Sequence, residues 1–268
     1  MPRRQPPEAT LRLHSRFHSR GLRNTRDLVV WLPPGYGKMR RRYPVVYFQD
    51  GQNIFDPKTA FLGNAWHAGE RATELIRAHA IAAPIMVGVY NTGFDRMNEY
   101  APTPAEFSGW SGEKCHSRGE ARRYVRFLAN EVKPFIDARY PTLTDARHTA
   151  VVGSSMGGLV SLYAALWHPR VFGHVAALSP SAWWDNRVVL RDLARVRRKP
   201  AVRVWLDMGT AEPGWEVIRL LRDVLTGHGW VEGRDLAYRE VPGGEHTEAA
   251  WAARIGDVLR WLLRRGEQ

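Results

Sequence analysis

The stretch Val151-Val152-Gly153-Ser154-Ser155-Met156-Gly157-Gly158-Leu159 contains Gly-x-Ser-x-Gly, with Gly153, Ser155 and Gly157 at the fixed positions. Residues 149–152 read as a short buried strand running into it. Residues 159–167 are apolar nearly all round, which suits a buried helix running out of it. A serine on a tight turn between such a strand and helix exposes its hydroxyl, and side chains two residues away on either side would crowd it. Ser154 is the rival serine, but only Ser155 has glycines at both required offsets.

Working outward, short apolar runs alternate with helical spacings. Residues 44–48, 84–90, 174–178, 202–206 and 236–241 read as further strands, most of them apolar enough to be covered on both faces. Helical spacing runs from Trp66 to Ile76. It returns through Tyr124, Phe127, Leu128, Val132, Phe135 and Ile136 with a kink expected at Pro134, and again over 187–198. A helix with Trp215, Ile218, Leu221 and Leu225 inward follows, and the closing helix carries Trp251, Ile255, Val258, Leu259 and Leu262 on one face. Near the start, Leu11, Leu13, Ser15 and Phe17 alternate with polar neighbours, and residues 27–32 form a second strand, together an antiparallel edge pair. Residues 101–119, rich in Pro, Gly and Ser and without period, read as a long loop of the kind that is often functional. The expectation is a frayed segment over 1–10 and a single α/β domain over 11–268, built on a doubly wound, mostly parallel sheet with antiparallel N-terminal strands.

Composition narrows the functional classes. The chain has 268 residues, 44% hydrophobic, with 11 tryptophans, enough for a large core. No window approaches the eighteen or more consecutive apolar residues of a membrane span, and the basic first ten residues lead into no apolar run such as a secretory signal needs. Cys115 is the only cysteine, so no internal disulfide forms. These features lead to an expectation of a cytoplasmic protein. The net charge of +12 invites a nucleic-acid reading, but the basic residues are scattered apart from Arg40–Arg42 and Arg195–Lys199. Only five of the 39 are lysines, a coding bias rather than a binding patch. Neither a nucleic acid nor a membrane is expected as partner, and a homo-oligomer is compatible with the sequence.

Ser155 needs a base, and the base needs an anion to fix its tautomer. Nucleophile-elbow enzymes place these in the chain order Ser, acid, His. Among ten histidines, only His246 lies both late enough and in a glycine-rich loop after a strand, Gly243-Gly244-Glu245-His246. The loop after 202–206 offers two acids. Glu212 is better placed to extend past the sheet toward His246, whereas Asp207, directly after the strand, can be tied up by loop backbone; a Ser–His pair without a strong acid is the third arrangement. Backbone N–H groups of Met156 and Gln52, the latter in Asp50-Gly51-Gln52-Asn53, suit an oxyanion hole, while an ordinary turn is the plainer reading of that loop.

The motifs Asp50-Gly51-Gln52-Asn53-Ile54-Phe55, Gly153-Ser154-Ser155-Met156-Gly157-Gly158, Ser179-Pro180-Ser181 with Trp183-Trp184, and Gly244-Glu245-His246 resemble the putative-esterase family of α/β hydrolases. That family includes esterase D, enterochelin esterases, feruloyl esterase domains and mycolyltransferases. The resemblance covers about Asp27 to Trp261. It implies an α/β-hydrolase fold and a hydrolase of small-molecule esters with neither cofactor nor metal. It also implies Ser155 as nucleophile, His246 as base, and Gln52 and Met156 as oxyanion donors. In relatives the acid is commonly an aspartate three residues after a glycine of the same loop; here that place, after Gly209, holds Glu212. Arg96, Tyr100, Trp183 and Trp184, with the loop 101–119, are expected to wall the pocket. For Arg96 a structural pair with Glu99 is the competing expectation, and for the tryptophans core packing. The same constellation serves acyl transfer, and a hydrolase scaffold can also bind without catalysis.

Overall fold

The computed structural model describes residues 9–38, 41–109 and 112–264. The first eight residues of the segment expected to fray lie outside these, as do Arg40 of the basic loop and residues 110–111 of the long loop.

Two antiparallel strands come first, β1 (Thr10–His18) and β2 (Thr25–Leu32), followed by β3 (Val45–Phe48), α1 (Ala68–Arg77) and β4 (Ile85–Val89). A short helix α2 (Arg96–Tyr100) precedes a hairpin, β5 (Ala105–Ser108) with β6 (Lys114–Ser117). Helices α3 (Ala121–Phe127) and α4 (Lys133–Arg139) lead to β7 (Thr149–Ser154), α5 (Met156–Trp167) and β8 (His174–Leu178). The chain continues through α6 (Trp184–Ala194), β9 (Arg203–Gly209), α7 (Val217–Gly227), β10 (Leu236–Val241) and α8 (Glu248–Leu262).

Eight strands form one sheet in the order β1-β2-β4-β3-β7-β8-β9-β10. The pairs from β4–β3 onward are parallel, and β1–β2 and β2–β4 are antiparallel. Period-two alternation sends β3 side chains to both faces. Val45 and Tyr47 join one core layer, with Tyr124, Leu159 and Ile218. Val46 and Phe48 join the other, with Trp66, Trp251 and Ile255. Coverage on both faces is why these strands read as continuous apolar runs. The chain leaves β3 toward β4 on one side and returns to β7 on the other, so β3 and β7 flank a topological switch point. Ligands of open α/β sheets bind outside the carboxyl ends of strands at such a point.

One local expectation is corrected and another made specific. The long loop carries the β5–β6 hairpin, anchored where the Trp184 indole N–H donates to the Thr103 carbonyl at 3.2 Å. In the helical run from Ala121 to Arg139 the irregularity expected at Pro134 includes a π turn at Leu128–Val132, just upstream of the proline. Pro134 has no N–H, and its ring would clash with the carbonyl of residue 130 in α-register; the wider turn just upstream relieves both.

Candidate active site

Ser155 follows the last residue of β7 and caps α5 at φ 55°, ψ −126°, a conformation that non-glycine residues rarely adopt. The turn is held by the Ser155 N–H donating to Leu178 O at 3.0 Å and the Ser181 N–H donating to Ser155 O at 3.0 Å. The flanking glycines serve a close backbone approach: a Cβ on Gly153 would stand 2.4 Å from the carbonyl of Gly157. Ser154, by contrast, is buried at the strand end.

Three loops converge on Ser155. His246, after β10, brings Nε2 to 3.0 Å from Ser155 Oγ. Its Nδ1 lies 2.6 Å from Oε2 of Glu212, which follows β9. The imidazole is also set by its environment, with the Trp251 ring 4.9 Å away at 85°. Glu212 is 2% exposed. Burial works to raise its carboxyl, but hydrogen bonds from His246, Ser179 and the Gly209 N–H outweigh it and hold the group below the usual glutamate range. A hydroxyl, an imidazole and a carboxylate in this series can pass the hydroxyl proton to Nε2 while the Nδ1–H stays on the carboxylate.

The other acid, expected in the same loop, lies within β9, which runs on to Gly209. Asp207 is fully buried beneath the loop, accepting from Arg254 Nη1 at 2.7 Å and Trp205 Nε1 at 2.7 Å. Burial pushes its carboxyl up to about 6 against the opposing Arg254 charge. Its side-chain hydrogen bonds go to Arg254, Trp205 and the Ser179 N–H, while His246 Nδ1 pairs with Glu212.

Beside Ser155 opens a cavity of about 430 Å³. Gln52 and Asn53 line it from the turn after β3, with Asn91 and Arg96 from the β4 side and Trp251 from α8. Gly51 allows that turn to sit on β4, since a Cβ there would be 2.3 Å from the Gly88 backbone. Met156 opens α5 directly after Ser155, so its N–H is one of the helix's terminal donors.

The expected pocket walls are only partly there. Arg96 lines the cavity, but its partner is Asp50, with Nε and Nη2 at 2.7 and 2.8 Å from the two carboxylate oxygens. Glu99, on the inward face of α2, instead receives Arg26 from β2 at 2.6 and 3.0 Å, a pair buried on both sides. Tyr100 is wholly buried behind the cavity, where its hydroxyl accepts the Asp50 N–H at 3.2 Å. Trp184 is core, packed on Phe107, and Trp183 is 52% exposed; neither lines the cavity. Unforeseen in the sequence were Phe61, Leu62 and Glu248. Glu248 accepts Asn53 Nδ2 at 3.0 Å and Trp66 Nε1 at 2.5 Å. Its place two residues after His246, at the head of α8, was the available signal.

A mostly parallel eight-stranded sheet with a strained, glycine-flanked serine at its switch point is the α/β-hydrolase fold. Within that class, residues 19–262 match the family described as "Putative esterase", and the chain belongs to it. It is 32% identical over 264 residues to the uncharacterized protein YjcH of Bacillus subtilis, across 92% of this chain and 95% of that one. It is 30% identical over 149 residues to the siderophore triacetylfusarinine C esterase of Aspergillus fumigatus, across 56% of this chain and 48% of that protein. An IroE-like serine hydrolase from Shewanella oneidensis superposes with a TM-score of 0.74 at 26% identity, covering 94% of this chain and 79% of that one. The chain is an ester hydrolase.

Proposed function

We propose that the protein is a serine carboxylic-ester hydrolase that works through an acyl-enzyme. The observation carrying this is the unbroken series Ser155 Oγ–Nε2 of His246 at 3.0 Å and Nδ1–Glu212 Oε2 at 2.6 Å, at the mouth of a cavity. Glu212 holds the imidazole with its proton on Nδ1, which leaves the Nε2 lone pair facing the serine. Ser155 Oγ attacks the ester carbonyl as Nε2 takes its proton. The Met156 and Gln52 N–H groups receive the developing oxyanion. His246 then protonates the departing alcohol, and water, activated by the same nitrogen, releases the acid.

The walls support a small-molecule ester with an apolar portion. Phe61, Leu62 and Trp251 offer apolar surface, and the Asp50–Arg96 pair with Asn91 offers fixed polar partners. The siderophore esterase among the relatives supports an ester as the substrate.

Labelling with a fluorophosphonate followed by peptide mapping is expected to place one adduct on Ser155. Ser155→Ala is expected to lower turnover of p-nitrophenyl acetate by at least about 10³-fold in folded protein. An adduct on another residue, or full turnover by the alanine variant, would overturn the proposal.

A further inference from the structure

We propose that Ser179 is a positioning residue for Glu212, and that Arg254, Trp251 and Asp207 are arranged to fix the direction of its hydroxyl proton. This rests on the Ser155–His246–Glu212 reading above.

Ser179 follows β8 at φ 42°, in the left-handed region, and is completely buried. Its N–H donates to the Asp207 carbonyl at 2.8 Å, which fixes the turn. Three groups meet its Oγ: Glu212 Oε1 at 2.6 Å, Trp251 Nε1 at 3.0 Å and Arg254 Nη2 at 3.2 Å. Indole and guanidinium nitrogens only donate, whereas a hydroxyl has two lone pairs and one proton. The two N–H groups occupy both lone pairs, so the proton has one destination, Glu212 Oε1.

That direction matters because of what it leaves over. Oε1 then accepts both the Ser179 hydroxyl and the Gly209 N–H at 2.8 Å, and Oε2 is left facing His246 Nδ1. The carboxylate cannot rotate without breaking two bonds in a site where 2% of the residue reaches solvent. Arg254 is held for this task from behind by Asp207, its Nη1 2.7 Å from Oδ1. Asp207 thus reaches the imidazole only through Arg254, Ser179 and Glu212 in turn, and α8 carries both N–H donors.

Without the hydroxyl, Glu212 loses one anchor, and its charge, less shared, falls more fully on the imidazolium. Ser179→Ala is expected to lower kcat about 10- to 50-fold per fluorophosphonate-titrated site, with KM for p-nitrophenyl acetate changed less than about twofold. The pH at which kcat/KM falls on the acidic side is expected to move upward. Ser179→Gly removes the same hydroxyl and suits the positive φ, so it answers if the alanine variant is unstable. Arg254→Lys keeps a cation beside Asp207 but withdraws the fork's second N–H; a few-fold loss of kcat with the same pH displacement is expected. Folded variants with the wild-type kcat and pH profile per titrated site, even at lower Tm, would overturn this inference alone. Wild-type protein with neither turnover nor a Ser155 adduct would overturn the reading beneath it.

Discussion

Glu212 and Asp207 are five residues apart, one in the loop after β9 and the other within the strand, and their surroundings give them opposite characters. Glu212 is buried but meets three donors, so it stays an anion; Asp207 is buried more deeply and is pushed up to about 6. Glu212→Gln presents an amide to His246 Nδ1 and favours the wrong tautomer, so kcat is expected to fall about 10³- to 10⁴-fold. Asp207→Asn is expected to keep kcat within about tenfold but to lower stability by about 3 kcal/mol, because Arg254 is left buried without its counter-charge. Steady-state kinetics and denaturant melts check both, and the reverse order of kinetic losses would reassign the acid. Glu248 makes a separate prediction. Burial, reinforced by the Asp50 charge, pushes its carboxyl up to about 7 against the Trp66, Arg96 and Asn53 contacts. Between the ordinary glutamate range and pH 7 the folded protein therefore binds more protons than the unfolded chain at this group. Stability is lost as pH rises through that window, and the cost is complete above it. The Tm of Glu248→Gln relative to wild type is expected to rise by several degrees between pH 5 and pH 8; a flat or falling difference would refute it.

At the scale of elements, the site exists because the loops after β9 and β10 are stitched together. Gly209 and Gly244 meet backbone to backbone, and a Cβ on Gly209 would stand 2.1 Å from Gly244 O. The Thr210 N–H donates to Val241 O at 2.9 Å and the Ala211 N–H to Gly244 O at 3.0 Å, which sets the Glu212 loop against the His246 loop. Gly209→Ala must push these loops apart. Expected are a loss of about 2 kcal/mol in stability and a drop in kcat of about 10- to 100-fold, read by thermal melts and p-nitrophenyl acetate turnover. Elements of this kind differ in how well a sequence displays them. The parallel strands are legible because burial on both faces makes them short apolar runs. The β5–β6 hairpin is not, since four-residue strands containing Glu106, His116 and Ser117 are too short for alternation to register. The α8 apolar face is legible as packing, yet Trp251 and Arg254 on that helix also reach Ser179. A periodicity reports which side of a helix is buried, not what it touches there.

For the whole molecule, the sequence displays the sheet's class and the residues that carry their own motif, Ser155 and His246. It hides contacts that depend on how distant elements are rotated against each other. Arg96 and Glu99 stand three residues apart on α2, close enough to pair. The helix instead turns one toward Asp50 after β3 and the other toward Arg26 on β2. Tyr100 and Trp184 sit near the carboxyl edge of the sheet in sequence order, but packing draws both inward. The net charge is another property of the whole chain, and it acts at a distance. At +12 the molecule is surrounded by a positive potential, while the cavity floor itself pairs Arg96 with Asp50 and adds the Glu248 carboxyl. The field should therefore gather anionic esters to the surface without improving their seat in the cavity. Such steering is lost once the Debye length, about 10 Å at 0.1 M salt, becomes short against the molecule. Between 20 and 300 mM NaCl, kcat/KM for an ester bearing a carboxylate is expected to fall about two- to fivefold through its association rate. The neutral p-nitrophenyl acetate should stay level in the same assay. Parallel salt curves for the two esters would mean that the surface charge does not reach the site, and that the excess of arginine is neutral toward catalysis.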